Sequence, residues 1–166
     1  MVNTKVIVIG AFLSVIAAVF QLIPALLSEV FVLLTIFSTV PVYIVSRISP
    51  KAGIMSYFVA SIIIMIASVH EGLFFLCTNG IVGLSLGICR YYTKSRAVIW
   101  SLSSVALTIT LCVINYGIGI PVFGSVIPGE IAIQLTIIFI FALIYNIFYY
   151  YFSGFIFDCL KKNKIY

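Results

Sequence analysis

The sequence predicts an all-α membrane protein, with six transmembrane helices in one bundle forming a single integral membrane domain over residues 1–166. Three observations predict it. Hydrophobic residues make up 64% of the 166 positions and charged residues only 8%, whereas a soluble domain averages about 25% charged. Six apolar segments, each near bilayer-crossing length, alternate with breaks that carry turn residues or charge. All nine lysines and arginines fall on one side of the membrane if the chain crosses six times. That side is cytoplasmic by the positive-inside rule, which puts both termini in the cytoplasm.

The first segment, about Val6–Leu27, follows Lys5. It is too long for a signal-peptide core and no A-x-A cleavage site follows it, so it is expected to stay in the mature protein. Gly10, Ser14 and Ala18 recur every four residues along it, flanked by Ala11 and Ala17. Such a face lets another helix approach closely in lipid. It suits either packing within the bundle or docking of a partner membrane protein.

Pro24 with Ser28-Glu29 breaks the chain before segment two, about Val30–Val45, and Arg47 to Lys51 with Pro50 separates it from segment three, about Gly53–Val69. Segment four, about Gly72–Cys89, starts after His70-Glu71 and ends on Arg90. Its eighteen residues carry no charge, and at about 1.5 Å per residue they cover roughly 27 Å. Gly80, Gly83 and Gly87 give it a close-packing face. A re-entrant hairpin of segments three and four is the alternative to two crossings. Segment five, about Ala97–Tyr116, leads into the Pro- and Gly-rich stretch Gly117–Glu130. Segment six, about Ile131–Ile156, ends in a Lys-rich tail.

The two ends differ in chemistry. Glu29, His70, Glu71 and Glu130 lie at outer helix ends, and Asp158 is the one inner acid. Tyr43, Tyr91, Tyr92, Trp100 and Tyr149 to Tyr151 cluster toward the inner interface, where amphipathic rings anchor. An amide facing lipid leaves donors and acceptors unpaired, so Gln21, Asn79, Asn115, Gln134 and Asn146 are expected to point inward. A charged side chain at mid-bilayer costs about 2.5–3.5 kcal/mol, and none of the acids needs to sit there. The outer halves of segments four to six thus assemble a candidate ligand site from His70, Glu71, Asn79, Asn115, Tyr116, Glu130 and Gln134. Phe74, Phe75 and Phe123 offer apolar surface, and the 117–130 stretch would serve as a lid. The acid excess favours a cationic or proton-donating ligand.

Enzymatic chemistry has one candidate. His70 and Cys77, seven residues apart, share a helix face about 10.5 Å apart along the axis, a spacing similar to membrane peptidases that process signalling peptides. The Gly-Gly and basic surroundings of that histidine are missing, and the topology puts His70 outside. The four cysteines show no CxxC or Cys/His spacing, so no disulfide framework, metal or cofactor is expected. Phosphate-loop and HExxH motifs are also missing, and the net charge of +5 acts through the bilayer rather than through nucleic acid.

The opening TKVIVIGAFLSVIAAV, the join VPVYIVSRISPKAG and the stretch EGLFFLCTNGIVGLSLGICRYY together resemble the substrate-binding S components of energy-coupling factor (ECF) transporters, which capture vitamins and similar micronutrients. The resemblance implies a non-enzymatic subunit in a bacterial cytoplasmic membrane. It would take a small molecule from the outer side and hand it over through a transmembrane coupling subunit and ATPase subunits. A first-helix Ala-x-x-x-Ala face meets the coupling subunit in that family, and Gly10, Ser14 and Ala18 take its place here. The alternative is a non-catalytic scaffold of cell-envelope or sporulation machinery, whose outer polar groups would be plain interfacial residues.

Overall fold

The structure is a computed structural model that describes residues 4–121 and 129–162. Those residues form helices and contain no strand, and six of the helical spans are long and apolar enough to cross a membrane. α1 runs Thr4–Leu26 with Pro24 in its last turn. On one side Val8, Phe12, Val15 and Val19 are exposed, while Gly10, Ser14, Ala17, Ala18 and Gln21 are buried on the other. An uncharged, outward apolar stripe of this kind suits lipid rather than water.

The buried face of α1 corrects one expectation. Ser14 Oγ lies 2.7 Å from Ser56 Oγ and 3.1 Å from the Ser56 carbonyl, and Ser56 belongs to α3, Pro50–Ala67. Ala17 and Ala18 pack with Val42, Tyr57, Ala60 and Ile64. Gly10, Ser14 and Ala18 are therefore a seam inside the protein, not a face open to a coupling subunit. Small residues permit close approach by any helix, and the protein's own α3 and segment two occupy that space.

Segment two is wound in two ways. Glu29–Ser38 is a 3₁₀ helix, and α2 follows as Thr39–Ile48. Ten residues of 3₁₀ winding exceed the usual three or four. Ser28 caps its start by accepting from the Val30 N–H, and the stretch is rich in β-branched and aromatic residues that lose rotamer freedom in an α-helix. Pro41 has no N–H to give an α-type bond back to Phe37, but it fits the first turn of α2. Ser49 and Pro50 then start α3 as cap and first residue.

Segment four is also broken, as α4 (Val69–Cys77) and α5 (Asn79–Tyr92) meet at Thr78. A break at this depth frees carbonyls that lipid cannot satisfy. The Tyr57 hydroxyl donates to the Leu76 carbonyl at 2.7 Å, and Thr110 Oγ1 donates to the Cys77 carbonyl at 2.7 Å. Neighbouring helices thus complete the backbone hydrogen bonding. Interhelical hydrogen bonds in membranes average about 0.6 kcal/mol and reach about 1.7. Tyr57→Phe is accordingly expected to lower the melting temperature in detergent by a few degrees, with Thr110→Val adding to it. Wild-type melting in the double variant would show that the break stands without them.

α5 lies against α2 through Gly83 and Gly87. A Cβ on Gly83 would fall 2.5 Å from the Thr39 carbonyl oxygen, and one on Gly87 would fall 2.4 Å from Ser46 Cβ. The glycine face of segment four is thus an internal contact. α6 (Arg96–Cys112) runs into a π-helical turn, Val113–Ile118, closed by Gly119 at φ 80°. α7 extends over Ile131–Lys162. Val40, Tyr43, Val82, Leu86, Leu107, Leu111, Ile138 and Tyr149 form the core joining segment two, α5, α6 and α7.

Candidate functional site: a polar cavity at the helix break

Ser68 caps α4 by accepting from the Glu71 N–H, in the order Ser-Val-His-Glu. A capping-box glutamate would reach back to the cap residue. Here the Glu71 carboxylate goes elsewhere and accepts from Gln21 Nε2 of α1 at 2.8 Å. The Gln21 amide oxygen in turn accepts from Asn79 Nδ2 at 3.1 Å, with Ser38 Oγ 3.0 Å away. Asn79 Nδ2 also donates to the Thr35 carbonyl at 3.2 Å, and its Oδ1 accepts from the Tyr145 hydroxyl at 2.8 Å. The chain of bonds links α1, the 3₁₀ helix, α4, α5 and α7.

Two departures from regular winding make the network. The break at Thr78 places Asn79 at the first position of α5, and the 3₁₀ helix presents the Thr35 carbonyl to it. Gln21 and Asn79 are almost wholly buried, at 3% and 6% exposure. Buried amides are stable in such a setting only when paired, and each has at least two partners here.

The network forms one wall of a cavity of about 360 Å³. Gln21, His70, Glu71, Thr78 and Asn79 supply polar groups, and Phe74, Leu107, Leu111, Phe141 and Tyr145 supply apolar surface. The ten residues from His70 to Asn79, two of its polar lining positions, span nine steps, or roughly 13 Å along the helix direction. His70 is exposed, with its ring 4.7 Å from that of Phe74. A mostly apolar concavity of this size with a few convergent polar groups is the usual form of a small-molecule site. It presents a carboxylate, an imidazole, amides and a phenol beside aromatic rings.

Of the seven predicted site residues, the cavity takes His70, Glu71 and Asn79. Asn115, Tyr116, Glu130 and Gln134 do not line it. The Tyr116 hydroxyl donates to Gln134 Oε1, and Gln134 Nε2 donates to the Gly129 carbonyl at 2.9 Å. Those bonds tie the π-helical turn to the start of α7. Glu130 is exposed. A π turn takes one residue more than an α turn, so positions past Val113 leave the face that Leu107 and Leu111 present. The expected lid falls partly outside the described residues, with Phe123 and Pro128 among those not described. Phe75 is fully buried in the core, and Cys77, the proposed partner of His70, does not line the cavity.

Sequence reasoning missed Gln21, Thr35 and Tyr145 as cavity residues. Gln21 was legible as an amide in the outer half of segment one, but its distance in sequence hid its place beside Glu71. Tyr145 carries a phenol in mid-span, one residue before Asn146, and its signal is lost among the tyrosines that follow. Asn146 is buried as expected and donates to the Ala142 carbonyl of its own helix.

What the fold and cavity define is a class, namely a multi-pass membrane protein of six apolar helices with a mostly apolar cavity that carries a few polar groups. Comparison with protein-family models, curated proteins and solved structures finds no match to this chain.

Proposed function

We propose that the chain is a membrane-embedded small-molecule-binding subunit of the ECF S-component type, seated in a bacterial cytoplasmic membrane. It captures a vitamin-like micronutrient from the side opposite the bases. The observation that carries this reading is the cavity beside the Gln21–Glu71–Asn79 network. Gln21 and Asn79 are buried and paired, but His70, Glu71 and Thr78 beside them stay accessible and line open space of ligand size. A cavity with one carboxylate, an imidazole and aromatic walls favours a flat, nitrogen-bearing ligand that donates hydrogen bonds. Transfer would follow from contact with a transmembrane coupling subunit driven by ATPases. That contact involves surfaces other than Gly10, Ser14 and Ala18, which α1 buries against α3.

Thermal melting of the purified protein against a panel of water-soluble vitamins and their precursors tests the reading. At least one compound is expected to raise the melting temperature, Gln21→Ala or Glu71→Ala to abolish the rise, and Glu130→Ala, outside the cavity, to keep it. A panel without any shift, or a shift that survives Glu71→Ala, would count against a ligand site here.

A further inference from the structure

The opposite end of the bundle holds a second constellation, unconnected with the cavity above. Arg47 ends α2, Arg90 lies in the last turn of α5, Arg96 begins α6, and Lys94 lies between the last two. Arg47, Arg90 and Arg96 line two cavities at once. One is about 310 Å³ and also holds Tyr150 and Asp158, and the other is about 450 Å³ and also holds Tyr91 and Lys94. The cavities are two sides of one arginine triangle. Asp158 is the single carboxylate in the group. It meets Arg47 at 3.8 Å and is itself largely exposed, so the cluster carries an excess of three positive charges.

Aromatic rings hold two of the arginines in place. The Arg47 guanidinium lies 3.9 Å over Phe157, with Nη1 donating to the Tyr43 hydroxyl at 3.2 Å, and Arg90 lies 5.9 Å from the Tyr150 ring centre. Arg47 and Arg90 are partly buried and Lys94 and Arg96 exposed, and like charges gathered in this way repel unless an anion joins them. Forked guanidinium groups pair bidentately with phosphate oxygens, as they do with carboxylates.

An apolar strip on α6 points to the source of the phosphate. From Ala97, the residue after Arg96, an apolar groove of about 400 Å³ runs along α6 past Val98, Ser101, Leu102 and Val105. Val98, Leu102 and Val105 are each about half exposed, and the groove is about 12 Å long by the helical rise. A basic cluster among tyrosines of the kind that anchor at membrane interfaces thus stands one residue from the start of an apolar strip on α6. We propose that this end of the protein is a binding site for an anionic glycerophospholipid. Arg47, Arg90 and Arg96 hold the phosphate, Lys94 screens the headgroup, and one acyl chain lies along the α6 groove. Basic pockets between helices at a membrane face bind such headgroups in general, and the lining of two cavities by the same three arginines separates this one from a diffuse basic surface.

The test uses the full-length protein in nanodiscs of phosphatidylcholine alone or with phosphatidylglycerol, with bound lipid counted by native mass spectrometry and stability read by thermal melting. Phosphatidylglycerol is expected to remain bound and to raise the melting temperature. Arg90→Gln and Arg96→Gln are each expected to weaken its retention about fivefold, the value of one interfacial base. Ser101→Trp is expected to weaken it by filling the groove, with the charges intact. Lys51→Gln, which removes a base of the same end that lines neither cavity, is expected to leave retention unchanged.

Equal retention of phosphatidylcholine and phosphatidylglycerol would overturn the proposal. A loss from Lys51→Gln as large as that from Arg96→Gln would overturn it too, because a diffuse field would then explain the binding. Stabilisation of the detergent-solubilised protein by inorganic phosphate or glycerophosphoglycerol as strong as that by the intact lipid would show a soluble-anion site and overturn the lipid assignment.

Discussion

Gly87→Val is expected to leave a chain that inserts in the membrane but does not form the compact bundle. The first added atom would stand 2.4 Å from Ser46 Cβ and 2.8 Å from the Tyr43 carbonyl oxygen. The second of these belongs to backbone, which no rotamer change can move aside. α5 would have to part from α2, and both sides of the core rest on that contact. Overpacking typically costs about 1–3 kcal/mol and more where backbones collide, against a total stability of about 5–15 kcal/mol. Gly83→Val, whose Cβ would meet the Thr39 carbonyl oxygen at 2.5 Å, is expected to act alike. Gly154→Ala is the control: its Cβ meets nothing within 4 Å, and alanine is the better helix former by about 1 kcal/mol. Size-exclusion profiles and melting curves in detergent distinguish the three. A monodisperse Gly87→Val protein with wild-type melting would show that the seam is looser than described.

Substitution of Asn79 is expected to have the next largest effect, and its sign depends on which atoms are replaced. Asn79→Leu removes two donated bonds and one accepted bond, together about 2 kcal/mol at the membrane average for each. For a chain of this length the expected fall in melting temperature is about 4–8 °C. Asn79→Asp keeps the shape yet is expected to be worse. Its second carboxylate oxygen would replace the Nδ2 donor and face the Gln21 amide oxygen and the Thr35 carbonyl, three acceptors with no proton among them. Both variants are expected to lose the ligand response of the wild type. If Asn79→Asp melts above Asn79→Leu, the donor role assigned to Nδ2 is wrong.

Much of the fold was legible because the bilayer imposes a simple rule. A span must be apolar and long, and its flanking charges sort by side. Segments expected at 97–116 and 131–156 appear as Arg96–Ile118 and Ile131–Lys162, and the first and third agree as closely. The changes of winding were not legible. Segments two and four read as continuous helices, yet one begins as 3₁₀ and the other breaks at Thr78. The break at Thr78 depends on partners distant in the chain, since Tyr57 and Thr110 take the carbonyls freed there, and the 3₁₀ helix turns its Thr35 carbonyl to the equally distant Asn79.

The candidate site was legible in part for the same reason. His70 and Glu71 stand at a helix start where a cavity mouth forms, and Asn79 is an amide too deep to face lipid. Gln134 and Tyr116 met the same criterion of a polar group in the outer half, and they satisfy each other instead.

The sequence by itself determined the class of the protein, its six spans, and the gathering of its bases at one end. Each follows from transfer of residues between water and lipid, which depends on composition and position alone. Only the tertiary structure decided that Gly10, Ser14 and Ala18 are sealed against α3, that Glu71 takes Gln21, and that the arginines of three helices line the same two cavities. A 3.6-residue period tells which residues share a face, but it does not name the neighbour of that face. Every 3₁₀, π or broken turn also rotates the residues beyond it, so the period stops predicting facing at the places where this chain gathers its polar groups.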